Sequence, residues 1–352
     1  MNHRIVLAAG GSGGHLFPAI ESARALKNRG YQLHFCAVGL QTCEFFPKEE
    51  FDYHCVDGTF FSKKTMLFAP FKLIKGTVQA YLFLKKFKPS LVIGFGSYHS
   101  FPTTLAAALL KIPLFLFEPN IEMGRVNKVF SAISKGIFSY FDHNHSKYFK
   151  ILPTKSYPVV DRDLAKKTTA IDTQKPIFLI TGGSQGSLIV NQAVLMIEPE
   201  KLKKYYIVHL AGKNENLESL KAYYKKYEIE AFVTPFTNQM PLYLSIATII
   251  FSRAGASTIY EALFYKIPAF LIPYGDDPQG HQILNARYLV EKIQGGLFLL
   301  QTNINKSIIN STFEQFEREL FLYKSNLEFS IDIKKVPSME ELIDEFLTKG
   351  TT

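Results

Sequence analysis

Cysteines and long hydrophobic runs are both scarce in this sequence. Only three cysteines, Cys36, Cys43 and Cys55, occur in 352 residues. They form no Cys-x-x-Cys pair, and an odd number cannot all be bridged, so we expect reduced structural thiols. No apolar run of about 18 residues is available to span a membrane, and no cleavable signal pattern precedes the first predicted strand. We therefore expect the folded chain to reside in the cytoplasm.

Two common phosphate-binding patterns are also missing around the first glycine-rich turn, Gly10 to Gly14. A Walker loop needs a lysine directly after its glycines, but the first lysine of this chain is Lys27. A dinucleotide-binding fold needs an acidic residue at the end of its second strand to hold the ribose. The predicted second strand, Gln32 to Val38, is followed by a Gly-Leu-Gln sequence instead. Neither class of nucleotide site fits this turn.

Glycine is abundant where the chain first passes from strand to helix. The turn Gly10-Gly11-Ser12-Gly13-Gly14-His15 lies between the apolar run Ile5 to Ala9 and a predicted helix from Ala19 to Lys27. Glycines let the backbone approach a ligand closely, and a helix start offers free N–H groups and a positive dipole end. The turn predicts an anion site with His15 beside it, and a tight turn without a ligand is the alternative. Pro18 is expected in the first helical turn, where no N–H partner is lost.

The same order of strand, glycine turn and helix begins again in the second half of the chain. The strand Ile177 to Ile180 precedes a turn from Gly182 to Ser187 and a helix from Leu188 to Met196. A proline-punctuated segment before it, Pro153 to Asp163, resembles an interdomain hinge. Strands alternating with helices through both halves favour an α/β fold with parallel sheets and helices on both faces. The chain length fits two domains.

A third turn of this kind has the strongest local pattern. The predicted strand Ile246 to Phe251 is followed by small residues that lead into a helix from Ile259 to Tyr265. The residues expected to expose the helix N-terminus to an anion are Ala256, Ser257 and Thr258. Glu261, one turn inside, is placed to accept hydrogen bonds from two ribose hydroxyls. The helix dipole alone also favours a carboxylate near a helix start, so a structural role is the alternative.

Polar residues follow other predicted strands. Asn120 comes after the strand Leu114 to Phe117, and Thr237 after the strand Ala231 to Thr234. Gln282 opens a helix after the strand that begins at Ala269. Ligands of doubly wound sheets bind at the carboxyl ends of the strands. We therefore count Asn120, Thr237 and Gln282 among the candidate binding residues.

The formal net charge of +9 calls for an explanation, and a partner of opposite sign is one. Nucleic acid, an anionic membrane surface and a phosphorylated substrate would all serve. Between Phe60 and Ser90 the sequence has seven lysines and no acidic residue. Because these lysines cluster on one predicted helix and no nucleic-acid-binding motif accompanies them, we expect no nucleic-acid partner.

The lysine-rich segment from Met66 to Phe87 has helical periodicity. The positions expected to face the core are Leu67, Phe71, Ile74, Val78, Tyr81 and Leu82. The opposite stripe consists of Phe68, Lys72, Lys75, Gln79, Phe83 and Lys86. Exposed aromatic rings among lysines suit the interface of an anionic bilayer, so we predict peripheral membrane binding through this stripe. A solvated helix face is the alternative.

Together these motifs resemble those of the MurG family, glycosyltransferases that add N-acetylglucosamine to lipid I in bacterial peptidoglycan synthesis. Gly10 to Pro18 resembles the first glycine turn of the family, with Ser12 in place of a threonine, and Gly96 to Pro102 resembles the second. The stretches that match donor-site motifs, in the same order, are Gly182 to Gly186, Arg253 to Glu261 and His281 to Ala286. The resemblance implies the GT-B architecture, two Rossmann-like domains with parallel sheets that face each other across a cleft. We expect domains at residues 1–158 and 159–336, with a helix in 337–352 packed back on the first domain.

The resemblance also implies roles for individual residues. The turn formed by Ser12, Gly13 and Gly14 would close over the donor diphosphate. The expected donor contacts in the other motifs are Ser184 near the diphosphate, Glu261 on the ribose, Gln282 near the sugar, and Asn120. Arg162 would replace the hinge arginine of the family only with a shifted loop. Phe117 and Pro119 stand where the family has His and Gln, so those two roles do not transfer.

The implied reaction is inverting transfer of N-acetylglucosamine from UDP-N-acetylglucosamine to the C4 hydroxyl of the muramoyl sugar of lipid I, at the inner face of the cytoplasmic membrane. His15 is the expected catalytic base, because imidazole titrates near the working pH. Glycine-loop amides and helix N-termini would stabilise the leaving UDP, and Asp276-Asp277 lacks Asp-x-Asp spacing, so we expect no obligatory metal and no cofactor. The alternatives are another lipid-linked GT-B enzyme, such as a diacylglycerol glycosyltransferase, and a sugar-nucleotide epimerase of the same architecture.

Overall fold

The computed structural model describes residues 3–11, 13–59, 69–143, 146–151, 160–183, 186–213, 216–275, 280–330 and 336–349. Several sequence predictions fall outside the described residues, namely those for Ser12, Leu67, Phe68, Ser184, Asp276 and Asp277 and for residues 153–159 of the predicted hinge. The chain divides into two compact units. One consists of Met1–Ser156 together with Lys334–Thr352, and the other of Tyr157–Ile333.

The first unit is built around a parallel sheet. Its strands are β1 (Arg4–Ala8), β2 (Gln32–Val38), β3 (Tyr53–Val56), β4 (Leu91–Gly94), β5 (Leu114–Glu118), β6 (Gly136–Ser139) and β7 (Tyr148–Lys150). Its first helices are α1 (Gly13–Asn28), α2 (Ala69–Phe87), α3 (Ser97–Leu109) and α4 (Arg125–Phe130). The strand order is β3-β2-β1-β4-β5-β6-β7, with every neighbouring pair parallel. The order therefore reverses between β1 and β4.

The second unit repeats this design. Its strands are β8 (Ile177–Thr181), β9 (Tyr206–Leu210), β10 (Ala231–Thr234), β11 (Ile249–Ser252), β12 (Ala269–Leu271) and β13 (Gly296–Phe298). Its helices are α5 (Arg162–Thr169), α6 (Leu188–Met196), α7 (Pro199–Leu202), α8 (Leu217–Lys226), α9 (Met240–Ile246), α10 (Ala256–Tyr265), α11 (His281–Arg287) and α12 (Lys306–Ser330). The order β10-β9-β8-β11-β12-β13, again parallel throughout, reverses between β8 and β11. Two parallel sheets with helices confirm the predicted α/β class.

Aromatic packing holds α12 against the second sheet. Phe178, Phe251 and Phe270 belong to β8, β11 and β12, and each is fully buried. The ring centroid of Phe313 on α12 lies 5.7 Å from that of Phe178 and 6.3 Å from that of Phe270. Central strands of a parallel sheet are covered on both faces, which is why they are continuously apolar. α12 supplies part of that cover.

The helix after the first glycine turn begins earlier than predicted. α1 starts at Gly13, so Pro18 is its sixth residue and not part of its first turn. α3 starts at Ser97, and Pro102 is its sixth residue. The prediction failed because glycine has low helix propensity, which tertiary contacts override here. His15 consequently lies inside the first turn of α1.

The residues of α2 that face the core also differ from the prediction. Its buried residues are Ala69, Leu73, Gly76, Thr77, Ala80 and Leu84. The bulky residues expected to be inside are exposed, namely Phe71 at 74%, Ile74 at 63%, Val78 at 52% and Leu82 at 61%. The small residues allow a close approach, since a Cβ on Gly76 would overlap the carbonyl group of Asp57. Phe83, predicted to be exposed, is half-buried and stacks on His54 at 4.8 Å between ring centroids.

α13 (Met339–Lys349) closes the first unit. Ser338 and Glu341 form a capping box, with Ser338 N–H donating to Glu341 Oε2 at 2.8 Å and Glu341 N–H donating to Ser338 Oγ at 3.3 Å. Ile343 is fully buried, and the Asp344 carboxylate accepts hydrogen bonds from Arg29 and from the Tyr31 hydroxyl. These contacts attach the C-terminal segment to the short connection between α1 and β2.

The remaining sequence expectations concern thiols and membrane spans. Cys36, Cys43 and Cys55 are all unbridged, as expected. Burial raises the pKa of the Cys36 thiol to about 12, so it behaves as a core residue. Within the described ranges, no helix has both the length and the apolar character needed to cross a bilayer.

Candidate functional site

The two glycine turns of the first unit meet at the carboxyl edge of its sheet. β1 and β4 pair with Ala8 beside Gly94. From β1 the chain passes through Gly10 and Gly11 into α1, and from β4 it passes through Gly96 into α3. In doubly wound folds, ligands bind outside the carboxyl ends of the strands where the strand order reverses. The structure therefore brings both turns to the expected binding edge.

His15 is oriented by a hydrogen bond to the neighbouring turn. Its Nδ1 lies 2.7 Å from the carbonyl oxygen of Phe95, which can only accept. Nδ1 therefore carries a proton, and the lone pair of the neutral ring is on Nε2. Gly96, with a φ of 76°, adjoins the ring, and a Cβ there would lie 3.1 Å from Asn127 Nδ2 and 3.4 Å from His15 Cε1. This tautomer suits a base that accepts a proton at Nε2.

Gly14 is exposed at the start of α1. A Cβ built on it would meet no atom of the described chain within 4 Å. Packing therefore does not require a glycine here, whereas close approach of an anionic ligand to the helix N-terminus would. Gly13 is the first residue of the same helix. The predicted binding roles of Gly13 and Gly14 stay predictions.

A buried carboxylate organises the loop after β5. Glu118 is 1% exposed, and its Oε1 accepts hydrogen bonds from the backbone N–H of Asn120 at 3.2 Å and from the side chain of Asn120 at 3.3 Å. Its Oε2 accepts from the N–H of Gly124 and from Asn127 Nδ2, both at 2.9 Å. These bonds hold Asn120 at the edge that also carries His15. No role for Glu118 or Asn127 was predicted from the sequence, although a carboxylate that ends an apolar strand was a visible signal.

In the second unit, the equivalent edge has an unprotected helix N-terminus. Gly255, the N-cap residue of α10, has no side chain to accept from the first N–H groups. Ala256 and Thr258 are buried in this turn and Ser257 is half-buried. A Cβ on Gly255 would meet no described atom within 4 Å, so a ligand can approach the backbone closely. The geometry agrees with an anion site at this helix start.

Glu261 lies in the second turn of α10 and is 9% exposed. Burial, and secondly the Glu261 carboxylate, raise the pKa of Tyr265, one turn further along. The carboxylate is thus close to Tyr265 and in a poorly solvated environment. A buried carboxylate stabilises the structure only when hydrogen-bond donors surround it, and ribose hydroxyls are such donors.

Gln282 and α11 are attached to the same edge. The Gln282 side-chain oxygen accepts a hydrogen bond from the backbone N–H of Tyr274 at 2.9 Å. Because its oxygen is engaged, the amide is oriented and its N–H₂ group is the part available to a sugar hydroxyl. Asn285 is fully buried and donates to the carbonyl oxygen of Ala254 at 3.2 Å, which attaches α11 to the turn before α10.

Arg253 connects three loops around this site. Its guanidinium donates to Ser187 Oγ at 2.9 Å and to Gln301 Oε1 at 2.9 Å. It also donates to the carbonyl oxygens of Ile272 and Pro273, both at 3.3 Å. The loops after β8, β12 and β13 are thereby held together. From the sequence, Arg253 is only the first residue of a stretch that resembles a donor-site motif, because a single arginine in a turn has no spacing signature that predicts these contacts.

Other predicted residues are more scattered. Thr237 is half-buried in the loop after β10, where its hydroxyl oxygen accepts from the N–H of Gln239 at 3.0 Å. Arg162 is the exposed first residue of α5, whose N-cap is Asp161. The structure groups Ala256, Ser257, Thr258, Glu261 and Gln282 at one edge of the second unit. Thr237 follows β10 at the same edge of the sheet, three places from β11 in the strand order, and Arg162 begins α5; the binding roles of both stay predictions.

Comparisons with known proteins agree over most of the chain. Residues 5–139 match the model of the glycosyltransferase family 28 N-terminal domain, and residues 177–342 match that of the C-terminal domain. A relative from Protochlamydia amoebophila, strain UWE25, is 31% identical over 88% of this chain and 86% of that protein. One from Chlamydia pneumoniae is 32% identical over 87% of each. Both are named UDP-N-acetylglucosamine--N-acetylmuramyl-(pentapeptide) pyrophosphoryl-undecaprenol N-acetylglucosamine transferase.

Solved structures show the same fold. A MurG crystal structure from Acinetobacter baumannii superposes with a TM-score of 0.77 at 24% identity and covers 99% of both chains. The calicheamicin glycosyltransferase CalG4 superposes with a TM-score of 0.71 at 12% identity, over 99% of this chain and 98% of that one. The predicted GT-B class and the predicted family are confirmed. The chain therefore belongs to glycosyltransferase family 28, and within it to the MurG family.

Proposed function

We propose that this protein transfers N-acetylglucosamine from UDP-N-acetylglucosamine to the C4 hydroxyl of the muramoyl sugar of lipid I. The observation that carries the proposal is the grouping of a helix N-terminus, a buried carboxylate and an oriented amide at one sheet edge of the second unit. The helix N-terminus suits a diphosphate, the buried carboxylate suits a ribose, and the oriented amide suits a sugar. The reaction named for the relatives supplies the acceptor.

The donor would be held by α10 and α11. The N–H groups at the start of α10 would bind the diphosphate and meet the negative charge that grows on UDP as it leaves. Glu261 would accept from the ribose hydroxyls, and the Gln282 N–H₂ group would donate to the sugar. Fixed backbone dipoles need no reorganisation during the reaction, so no metal ion is required by this scheme.

His15 would activate the acceptor. As the C4 oxygen bonds to the anomeric carbon, the bond from that carbon to the UDP oxygen breaks and the configuration inverts. The hydroxyl proton passes to Nε2 of His15, while the Nδ1 proton stays hydrogen-bonded to the carbonyl oxygen of Phe95. The imidazolium then releases its proton to solvent.

A transfer assay tests this function. The purified protein would be incubated with labelled UDP-N-acetylglucosamine and either lipid I or diacylglycerol, with and without a chelator. We expect label in a lipid product only with lipid I, one UDP per transfer, and no effect of the chelator. Transfer to diacylglycerol would indicate the rival glycosyltransferase, and conversion of the nucleotide sugar without an acceptor would indicate an epimerase.

A lipid-linked acceptor requires the enzyme at a membrane, and the exposed side of α2 is suited to it. We define the α2 surface as Phe71, Ile74, Val78 and Leu82. All four side chains are more than half exposed, and lysines flank them along the helix. The sequence has no acidic residue from position 58 to position 117, a range that contains the whole helix. Apolar side chains among an excess of lysines fit an anionic bilayer interface.

The structure changes the variant that tests membrane binding. The stripe predicted from the sequence included Phe68, which lies outside the described residues, and Phe83, which is half-buried in a ring cluster. Replacing Phe83 would disturb the core of the unit. Phe71 and Leu82 are exposed, and they are among the largest side chains of the α2 surface. They are therefore better targets than Phe68 and Phe83 for a test of membrane binding.

The double variant Phe71→Ser, Leu82→Ser is expected to bind anionic vesicles poorly and to bind UDP normally. Buried apolar area contributes about 25 cal/mol per Å², and each lysine near the anionic surface adds about 1 kcal/mol. Wild-type binding should also weaken with salt, because the screening length is about 10 Å at 0.1 M. Vesicle flotation measures both effects.

A matched control is available on α12. Phe321 and Phe329 are each 88% exposed, so Phe321→Ser, Phe329→Ser removes comparable apolar area from the other unit. This control should float like wild type. Equal flotation of the α2 variant and wild type would reduce the α2 surface to a solvated helix face.

A further inference from the structure

A second histidine occupies, in its own helix, the position that His15 has in α1. His15 is the third residue of α1, and His99 is the third residue of α3. Both helices continue as His-x-Phe-Pro, ending at Pro18 and Pro102. Both follow glycines at the end of a central strand, and the two strands are neighbours. The two units of strand, turn and helix are therefore built alike.

Each histidine contacts the turn that precedes the other. His15 donates to the carbonyl oxygen of Phe95 in the turn before α3. The ring of His99 packs on the turn before α1, since a Cβ on Gly11 would lie 2.5 Å from His99 Nδ1 and one on Gly10 would lie 3.0 Å from His99 Cβ. The imidazole thus fills the space that a side chain on Gly11 would need. With a φ of 84°, Gly11 also has a backbone conformation that other residues rarely adopt.

The ring of His99 is itself fixed in place. Ser97 Oγ lies 2.9 Å from its Nδ1, within hydrogen-bond distance. Gly39, directly after β2, lies near another side of the ring, since a Cβ built on it would be 3.9 Å from His99 Cδ2. Burial, and secondly the charge of His15, lower the pKa of His99, so the ring is neutral at physiological pH. A neutral, anchored ring can act as a rigid support for the backbone beside it.

We propose that His99 is a positioning residue for the transfer reaction, which holds the Gly10–Gly11 turn, and through it the start of α1 and His15. The inference rests on the role of His15 in the proposed function. A catalytic group must be held to within a fraction of an ångström, and a small misplacement slows the chemical step without weakening substrate binding elsewhere. His99 should therefore affect kcat and leave donor affinity unchanged.

The test compares three substitutions of His99. His99→Ala is expected to lower kcat with lipid I about tenfold, with the Kd for UDP within about twofold of wild type. His99→Asn should recover most of the rate, because its amide can replace Nδ1 in the bond to Ser97. His99→Phe keeps a ring but no nitrogen, and should be as slow as His99→Ala. If His99→Ala does not fold, the kcat of the Asn variant is compared with that of the Phe variant, and a faster Asn variant supports the proposal.

His3→Ala is the matched control. His3 Nδ1 lies 3.1 Å from Ser90 Oγ, the same type of contact, and Ser90 directly precedes β4 at the opposite end of the sheet from the turns. This variant should keep the wild-type kcat. A wild-type kcat for His99→Ala, or an Asn variant no faster than the Phe variant, would overturn the proposal.

A measurement without substrate separates this inference from the proposed function. Hydrogen exchange of the backbone amides of Gly10, Gly11 and residues 13–15 should be faster in His99→Ala than in wild type, because the turn has lost its support. Unchanged exchange would overturn the positioning role. A wild-type protein that does not glycosylate lipid I would contradict the proposed function alone.

Discussion

His15→Ala is expected to lower kcat with lipid I by about 10²-fold or more, and to leave UDP binding nearly intact. The reason is the geometry of the ring. The bond from Nδ1 to Phe95 O fixes the tautomer, so Nε2 bears the lone pair that would take the C4 hydroxyl proton. Initial rates at saturating donor, with calorimetry of UDP binding in parallel, measure the two quantities separately.

His15→Asn distinguishes a base from a support. An asparagine amide can still donate to Phe95 O, but it cannot accept a proton near neutral pH. If His15 is the base, the Asn variant should be about as slow as the Ala variant. A rate close to wild type in either variant would reduce His15 to a structural role.

Glu261→Ala is expected to weaken UDP binding by about 1–3 kcal/mol, the range for losing hydrogen bonds to a charged group. The carboxylate is 9% exposed and lies one turn beyond the N-terminus of α10, so it is poorly solvated before the nucleotide binds. Ribose hydroxyls would supply further donors. Isothermal calorimetry with UDP gives the difference in affinity directly.

Glu230→Ala is a suitable control for this experiment. Glu230 belongs to the second unit, is exposed, and pairs with Lys175 at 2.8 Å just before β10. Surface ion pairs contribute little, so UDP affinity and stability should hardly change. If Glu261→Ala folds and binds UDP as tightly as this control, the nucleotide binds elsewhere.

Much of the candidate site was readable from local patterns. Turns rich in glycine and other small residues, placed between an apolar strand and a helix, predicted where β1, β4, β8 and β11 end. In a parallel fold such a turn is the usual connection from a strand to the next helix. β2, β10 and α6 have the predicted bounds. α12 was not predicted, although its buried residues Ile309, Phe313 and Phe316 recur at helical spacing. The short strands β3 and β7 were also missed, since three or four residues offer too little periodicity.

The exposed side of α2 shows where such patterns fail. The helix has one stripe of bulky apolar residues and another of small ones, and periodicity alone selects the bulky stripe as the core. The structure buries Gly76 and Ala80 instead, because small residues let the helix lie directly on the backbone near Asp57. Phe71 and Leu82 are consequently left outside.

The sequence by itself determined the α/β class, the repeated design of the two halves, the family and the positions of the glycine turns. These are local properties, set by residue type and spacing along the chain. Only the tertiary structure decided the tautomer of His15, the contact of His99 with the Gly10–Gly11 turn, the loops joined by Arg253 and the side of α2 that is exposed. Each of these depends on which distant segment lies beside a residue, and the pairing of β1 with β4 and of β8 with β11 is formed only when the sheets assemble.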